Sequence, residues 1–433
     1  MINRFQSTNP PPRSISKMPK KVRVSKRSIL AIGLAATISP VSALVALEPS
    51  VVEKQATRVS PTSTTGCSST TTPGFQWDTK ACSESYTASW VDPIGNWANP
   101  PKVNINVAGV DLVATVDTGS TGLVASMSLF PNHNFTLKTP TSIFYTSSHW
   151  LEEGYEEWID MTFGPYGMKT KILVKDHEVC CPTFDPATDG ERCPTSKIVD
   201  GCICSKNCPS SSSTSSGTST VASRKLAARA TVAAVAYMGI GFGRGDPPIE
   251  NPFMDIVTYN GNPISDSFCQ GYAITNTGLT LGLNKQSTDG FNWTPLEQNN
   301  TSGMRDWDTP PMEYTVDESP NTEGTLLVDT GIANSYFSST PSYTSQSTFN
   351  VSFPGDTGKF TVTYDMSEGN TNSPNPMQPI AFGASSKAGY INSGRKLLNC
   401  FDVAYDPVGG NFGYRYLNDT EAANCSDYVT INF

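Results

Sequence analysis

The stretch VDTGSTGL at residues 116–123 follows the alternating run VNINV at 103–107, with a short Ala-Gly turn after that run. Apolar and polar side chains that alternate with a period of two predict strands, and a glycine turn between two such strands predicts a hairpin. The second strand leads into Asp117, so the hairpin delivers a carboxylate to a tight loop. In that loop Gly119 allows close backbone approach, and the Thr118 hydroxyl can bind neighbouring backbone groups.

The same pattern returns in the second half of the chain, where LLVDTG occupies residues 326–331. Again an apolar run leads into an acidic residue, Asp329, which Thr330 and Gly331 follow. Two copies predict two lobes that each contribute one carboxylate to a shared cleft. A third Asp-Thr-Gly, at 356–358, follows Pro-Gly and separates two alternating strands, so it predicts a hairpin turn with no catalytic role.

The composition indicates a globular chain built from strands. Hydrophobic residues make up 37% and charged residues 16% of the 433 residues, and the chain has 34 Gly and 32 Pro. Turn-rich globular chains of this kind are built mainly from strands. The sequence therefore predicts an all-β fold of two similar β-rich lobes with a central cleft and few short helices.

The N-terminal region is basic, whereas the whole chain has a net charge of -9. The basic start, an apolar run at 29–38, a proline and a small-residue site at 41–43 predict a secretory signal peptide over residues 1–43. An uncleaved membrane anchor is the alternative interpretation. Residues 44–84 are polar and predict a flexible segment or a short prosegment. Because the remainder of the chain is acidic, nucleic acid is excluded as a partner.

The order of the patterns predicts the domain boundaries. The N-terminal lobe is expected over 85–275 and the C-terminal lobe over 276–433. Within the first lobe, a cysteine-rich and serine-rich segment at 180–230 is interpreted as an insertion. A helix is predicted around 251–259 because a proline lies near its start, and a hairpin is predicted at 347–365.

Six of the eleven cysteines lie between positions 180 and 208. A zinc site with nearby His177 is one interpretation, but adjacent Cys180-Cys181 and the Cys-x-Cys at 202–204 do not have the spacing of paired zinc knuckles. Disulfides are favoured because they persist in exported proteins. The pairing stays open, since six cysteines allow many connectivities.

Two carboxylates only a few ångströms apart cannot both ionise easily, so they hold one proton between them. The ionised carboxylate can take a proton from a water molecule that attacks an amide carbonyl. The protonated carboxyl can then give its proton toward the carbonyl oxygen. This chemistry predicts no metal and no organic cofactor.

In its motifs and their order, the chain from about 100 to 416 resembles the pepsin-like aspartic proteases. The similar segments are the first Asp-Thr-Gly motif at 116–123, MTFG at 161–164, MGIGFG at 238–243, LVDTG at 327–331 and a C-terminal stretch at 401–413. The resemblance implies the bilobal acid-protease fold and the activity of an aspartic endopeptidase. It implies these catalytic and supporting residues: Asp117, Asp329, Thr118, Gly119, Ser120, Thr330 and Gly331. The aspartates would form the catalytic pair, the threonines would join the two loops, and the serine would bind the outer oxygen of Asp117.

The resemblance also implies a flap, a hairpin that closes over the substrate and excludes water. It would occupy about 158–174, with Phe163, Gly164 and Tyr166 near its end. The family usually has Tyr where this chain has Phe163, and Tyr166 is the alternative hydroxyl. The Trp that the flap Tyr usually contacts is replaced by Val124, so the flap is expected to be rebuilt.

A third departure is Ile332, which follows the second motif where the family commonly has Thr or Ser. These departures favour the main alternative, a catalytically weak or inactive binding protein on the same fold, whereas the two intact motifs favour the protease. A Ser-His-Asp hydrolase is disfavoured because none of the three histidines lies in a triad context. The sequence predicts a secreted monomer, extracellular or periplasmic, that binds a polypeptide substrate and is not inserted in a membrane after signal removal.

Overall fold

The structure is a computed structural model of the 433-residue chain. It describes the following residues: 82–145, 149–199, 236–244, 249–299, 306–339, 348–354, 359–365, 381–384, 389–417, 425–427 and 429–432. The predicted signal peptide, most of the predicted 44–84 segment, much of the predicted insertion and the third Asp-Thr-Gly therefore lie outside the described residues.

Within the described residues the chain is built almost entirely from strands. The strands that lie before residue 300 are β1 Tyr86–Ser89, β2 Lys102–Val107, β3 Val110–Asp117, β4 Thr121–Ser126, β5 Thr139–Tyr145, β6 Trp150–Phe163, β7 Tyr166–Cys180, β8 Ala236–Ile240, β9 Ile256–Tyr259, β10 Asn262–Pro263, β11 Tyr272–Ile274, β12 Gly278–Leu281, β13 Asn292–Pro295 and β14 Gln298–Asn299. The later strands are β15 Asp306–Trp307, β16 Pro311–Val316, β17 Thr322–Val328, β18 Tyr336–Ser339, β19 Thr348–Pro354, β20 Lys359–Asp365, β21 Ala381–Ala384, β22 Gly389–Gly394, β23 Phe401–Asp406, β24 Asn411–Tyr416 and β25 Val429–Asn432. The all-β prediction is confirmed, and the predicted hairpin at 347–365 corresponds to β19 and β20.

The helices that the structure describes are single turns. They are the α-helix Pro186–Asp189 and the 3₁₀ helices Met127–Leu129, Pro252–Met254 and Leu397–Asn399. The helix predicted around 251–259 is wrong, because the 3₁₀ turn gives way to strand β9. The Asn251 side chain accepts the N–H of Phe253 (2.9 Å) and caps the turn, and β9 then pairs with β7. The β-branched run Ile-Val-Thr suits this pairing better than a helix.

Two large sheets divide the strands by sequence. A nine-stranded sheet has the order β10-β9-β7-β4-β8-β3-β2-β6-β5, so all its strands come from the first part of the chain. An eight-stranded sheet has the order β21-β18-β22-β17-β16-β19-β20-β25 and belongs to the second part. These sheets are the bodies of the two predicted lobes.

A third sheet contains strands from both parts of the chain. Its order is β1-β12-β11-β23-β24-β13. The predicted boundary at 275/276 falls between β11 and β12, which pair with each other, and β11 also pairs with β23. The boundary between the lobes therefore stays a prediction.

The two large sheets repeat one arrangement. In the first, the order β2-β3-β8-β4-β7 contains antiparallel β2–β3, parallel β3–β8, antiparallel β8–β4 and parallel β4–β7 pairs. In the second, β16-β17-β22-β18-β21 contains the same four pairings in the same order. The weak duplication in the sequence is thus a duplication of strand topology.

A shared core joins these parts, and three disulfides between described cysteines lie within them. One hydrophobic cluster includes buried side chains from all three large sheets, such as Val116, Leu326 and Val403. The disulfides are Cys82–Cys269, Cys181–Cys193 and Cys400–Cys425. Because Cys181 and Cys193 are bonded to each other, neither supplies a thiolate to the zinc site that was the alternative interpretation. In the described part of the chain, none of the helices has the length and apolarity that crossing a membrane requires.

Candidate active site

The two Asp-Thr-Gly loops lie at equivalent points of the duplicated arrangement. β3 ends at Asp117 and β4 returns from its loop, while β17 ends directly before Asp329 and β18 returns in the same way. A third strand lies between the two in each copy, β8 in the first and β22 in the second. Because this strand separates the strands on either side of it, neither loop is an ordinary hairpin turn.

Reciprocal hydrogen bonds between two threonines join the loops. The Thr118 hydroxyl donates to the carbonyl of Val328 (2.6 Å) and accepts the N–H of Thr330 (3.0 Å). The Thr330 hydroxyl donates to the carbonyl of Val116 (2.7 Å) and accepts the N–H of Thr118 (3.0 Å). Both threonines are buried, and an unpaired buried polar group costs about 1–3 kcal/mol. The structure thus fixes the two loops against each other.

The glycine of each loop lies against the aspartate of the other. A Cβ atom added to Gly119 would overlap the carboxylate of Asp329, and one added to Gly331 would overlap that of Asp117. Only a residue without a side chain permits such an approach. The structure therefore brings together two carboxyl groups that are far apart in the sequence.

Each carboxylate accepts hydrogen bonds from its own loop. Asp117 accepts the N–H of Gly119 at Oδ1 (2.7 Å) and the Ser120 hydroxyl at Oδ2 (2.5 Å). Asp329 accepts the N–H of Gly331 at Oδ1 (2.9 Å). Hydrogen bonds of this kind favour the charged form of a carboxyl group.

The remaining oxygen of Asp329 binds a residue that sequence reasoning missed. The side-chain amide of Asn392, in β22, donates to Asp329 Oδ2 (2.8 Å). The related signal in the sequence was Ile332, which has no hydroxyl and so leaves the loop without a side-chain donor to this carboxylate. Sequence alone could not say which strand would supply it.

Burial and a neighbouring charge change the acidity of Asp117. Asp117 and Asp329 are only 9% and 8% exposed. Burial, followed by the nearby charge of Asp329, raises the pKa of Asp117 from 3.8 to about 7, against the opposing hydrogen bonds from Ser120 and Gly119. Asp117 therefore retains a proton at pH values where an exposed aspartate has lost it.

A buried guanidinium lies close to the pair. Arg395 donates to the carbonyls of Trp97 (2.8 Å), Thr330 (2.9 Å) and Ala98 (2.9 Å). Burial lowers the pKa of Arg395, while the charges of both aspartates oppose that shift. Because arginine stays protonated in proteins, it is a fixed positive charge behind the second loop.

The aromatic side chains at the end of the hairpin predicted as the flap are enclosed by other strands. The β6–β7 hairpin turns at Gly164, but Phe163 and Tyr166 are both completely buried. The Phe163 ring packs on Phe253 (5.4 Å between centroids) and the Tyr166 ring on Tyr259 (5.1 Å). Strand β9, which was predicted as part of a helix, pairs with β7 at this end. The prediction that Phe163 and Tyr166 contact substrate is therefore corrected, because these buried side chains have no surface to offer it, whereas the prediction for Gly164, which is exposed at the turn, stays a prediction.

A different hairpin brings a tyrosine to the pair. β5 and β6 are antiparallel, and the N–H of His149 donates to the carbonyl of Tyr145 (2.7 Å) where they join. Burial raises the pKa of the Tyr145 phenol, followed by the charges of Glu152 and Asp117. Its ring is thus within electrostatic reach of the Asp117 carboxylate, and its hydroxyl donates to Glu152 Oε2 (3.4 Å).

An ion pair inside the sheet supports this tyrosine. Lys175 has no exposed surface and donates to Glu152 Oε1 (2.8 Å) and to Glu178 Oε2 (2.8 Å). Burial raises the pKa of Glu152, and Lys175 opposes that shift. Val124, where the resembling family has Trp, is a small buried side chain and offers the tyrosine no hydrogen bond. Glu152 is the group that binds the Tyr145 hydroxyl instead.

Comparison with solved structures gives a similarity of fold. The structure is similar to the crystal structure of an aspartic proteinase from Irpex lacteus, with 13% sequence identity, a TM-score of 0.42 and coverage of 78% of this chain and 99% of that chain. The sequence matches no known protein-family model. It also matches no curated protein. The site and its chemistry therefore depend on the residues and topology of this chain.

Proposed function

We propose that this chain is a secreted aspartic endopeptidase that cleaves extended polypeptides with Asp117 and Asp329. The observation that supports this most directly is the reciprocal bonding of Thr118 and Thr330, which holds the two Asp-Thr-Gly loops against each other, with each carboxylate beside the glycine of the other loop. A pair that shares one proton has one base and one acid in the same place. That is the combination that water attack on an amide requires.

In the proposed reaction the pair acts on a water molecule and on the scissile carbonyl. The ionised carboxylate removes a proton from water as the water oxygen attacks the carbonyl carbon. The protonated carboxyl donates toward the carbonyl oxygen, so charge does not accumulate on it. Proton transfer to the leaving nitrogen then allows the C–N bond to break. The raised pKa of Asp117, about 7, keeps one proton on the pair over a wide pH range.

The proposed flap is the β5–β6 hairpin, with Tyr145 at the end nearest the catalytic pair. Its hydroxyl is bound to Glu152, and its ring lies within electrostatic reach of Asp117. An aromatic side chain in this position can cover a bound peptide and exclude water from the carboxylates. This hairpin replaces the β6–β7 hairpin, whose aromatic side chains Phe163 and Tyr166 are buried in the core.

Secretion is proposed from two independent features. The basic and apolar start of the sequence predicts a signal peptide. The disulfides Cys82–Cys269, Cys181–Cys193 and Cys400–Cys425 are bonds that persist in an oxidising compartment. A chain of net charge -9 is also suited to an acidic medium, where many of its carboxylates are neutral.

The test is peptide-library cleavage by the purified chain from about pH 2 to about pH 8, with Asp117→Asn and Asp329→Asn in parallel. We expect acid-favoured cleavage that falls by at least about 100-fold in either variant, because each removes one half of the acid–base pair. Asp356→Asn is the matched control, since it alters an identical tripeptide that is predicted to be a turn. It should retain full activity.

The alternative is a binding protein without catalytic activity. If the intact chain cleaves no peptide at any pH, the proposal of an endopeptidase is wrong. If cleavage persists in both variants, another group performs the reaction. Equal loss in the Asp356→Asn control would indicate misfolding rather than loss of a catalytic carboxyl group.

A further inference from the structure

The two halves of the site donate to their aspartates from different positions. In the first half the donor is Ser120, which directly follows the Asp-Thr-Gly loop and binds Asp117 Oδ2 (2.5 Å). The equivalent position in the second half is Ile332, which has no donor. There the donor is Asn392, which binds Asp329 Oδ2 (2.8 Å).

The first half of the site has a glycine near the place where the second half has Asn392. A Cβ on Gly241 of the first half would approach the carbonyl of Ser120, and one on Gly394 of the second would approach the carbonyl of Ile332. The residues two positions before these glycines are Gly239 in β8 and Asn392 in β22, where a bulge after Leu327 shifts the register of the strand pair. One half has a hydroxyl in the loop and no side chain in the strand, and the other half has the reverse.

The orientation of the Asn392 amide is fixed. Its Oδ1 accepts the N–H of Gly394 (2.9 Å), so its NH₂ group is the part that faces Asp329. An amide NH₂ group can donate a hydrogen bond but cannot accept one. The same holds for the N–H of Gly331, which binds the other oxygen of Asp329. Both oxygens of this carboxyl group therefore receive hydrogen bonds from groups that cannot accept a proton.

Asp117 has a different pair of partners. Its Oδ1 binds the N–H of Gly119 (2.7 Å), which can only donate, but its Oδ2 binds the Ser120 hydroxyl (2.5 Å). A hydroxyl can turn and accept. Asp117 can therefore carry a proton on Oδ2 and keep its hydrogen bond to Ser120.

We propose that Asn392 is a positioning residue that makes Asp329 the ionised member of the pair and leaves the shared proton on Asp117. The inference rests on the proposed function. In that reaction Asp329 accepts the proton of the attacking water, and Asp117 donates its proton toward the carbonyl oxygen. The raised pKa of Asp117 agrees with this assignment.

Other charged and titratable groups near the pair do not reverse the assignment. Those that act on the aspartates are Arg395, Tyr145, Tyr237 and Tyr390. The guanidinium interacts more strongly with Asp329 than with Asp117, so it favours the same assignment. Burial raises the pKa of all three phenols, which are consequently neutral in the pH range of the reaction.

The test compares the pH dependence of kcat/KM in Asn392→Leu and Ser120→Ala. A hydrogen-bond donor to the carboxyl group that ionises first stabilises the singly protonated pair. Loss of that donor therefore moves the acid limb of the kcat/KM profile to higher pH. A donor to the carboxyl that ionises second affects only the alkaline limb. For Asn392→Leu we expect the acid limb to move up by about 1–2 pH units with the alkaline limb in place. For Ser120→Ala we expect the alkaline limb to move up instead.

A rescue variant separates this role from a merely structural one. Asn392→Gly combined with Ile332→Ser copies the donor arrangement of the first half. It should return the acid limb toward the position seen in the unmodified chain, whereas Asn392→Gly alone should not. An Asn392→Leu profile that shifts only at the alkaline limb would overturn the assignment, because Asp329 would then be the second group to ionise.

A second readout does not depend on activity. Carboxyl resonances of chain labelled with ¹³C-aspartate, assigned with Asp117→Asn and Asp329→Asn, should show Asp329 changing at a lower pH than Asp117. In Asn392→Leu the Asp329 change should move to higher pH. The reverse order in the unmodified chain would overturn the inference. If the chain cleaves no peptide but shows the expected order, the proposed function fails while the assignment of the proton stands.

Discussion

The raised pKa of Asp117 predicts a pH-dependent loss of stability that Asp117→Asn removes. Burial and the Asp329 charge raise this pKa from 3.8 to about 7. A carboxyl group whose pKa is higher in the folded state holds its proton there more strongly than in the unfolded state. Its contribution to stability is therefore complete below about pH 4 and is lost as the pH rises to about 7.

The size of the effect follows from the same values. Each pKa unit corresponds to about 1.4 kcal/mol, so a rise from 3.8 to about 7 corresponds to about 4 kcal/mol of unfolding free energy. Asparagine does not titrate, and Asp117→Asn therefore removes this dependence. Other groups titrate in both proteins, so their contributions largely cancel in the difference.

The assay is urea-induced unfolding of the unmodified chain and Asp117→Asn at intervals between about pH 4 and pH 8. We expect the unfolding free energy of the unmodified chain to fall by about 4 kcal/mol more than that of the variant, with the difference constant above about pH 7. Asp160→Asn, which alters an exposed carboxylate on β6, is the matched control and should leave the dependence unchanged. Parallel curves for the unmodified chain and Asp117→Asn would refute the reasoning about burial.

Three further predictions concern the support of the site. Lys175→Met should lower the unfolding free energy by about 3–5 kcal/mol, because it leaves the buried Glu152 carboxylate without its ion pair. The control is Lys171→Met, which breaks the more exposed pair with Glu156 and should lower the unfolding free energy by at most about 1 kcal/mol. Equal losses in the two variants would contradict this prediction. Thr330→Val should cost about 2–5 kcal/mol in the same urea assay, since two buried backbone groups lose their partner; an unchanged midpoint would show that the loops are held by other contacts. Tyr145→Phe should lower kcat/KM up to about tenfold, whereas Tyr166→Phe should leave it unchanged, and the opposite result would return the flap to the β6–β7 hairpin.

Several local features of the site could be predicted because their cause is local. An apolar strand that runs into Asp-Thr-Gly buries itself and leaves the acidic residue at a loop, and this is visible at both Asp117 and Asp329. The strand pattern and the abundance of Gly and Pro indicated the all-β fold. The structure then gave the duplication a physical form in two matching sets of strand pairings.

The aromatic side chains of the flap were predicted at the wrong place because the sequence contains two neighbouring hairpins that could each form the flap. The β5–β6 and β6–β7 pairs are both antiparallel strands that follow one another in the chain, and the sequence near Phe163 resembled the expected flap more closely. Pairing of β7 with β9 decided which end was enclosed. The same pairing explains the wrong helix at 251–259, so the two errors have one cause.

The sequence by itself determined the fold class and the two carboxylates, because each depends on a few consecutive residues. Only the tertiary structure decided which groups surround those carboxylates. Asn392, Arg395 and Tyr145 reach the pair from distant parts of the chain. Their positions follow from strand pairing and register, which join residues that no local pattern relates to one another.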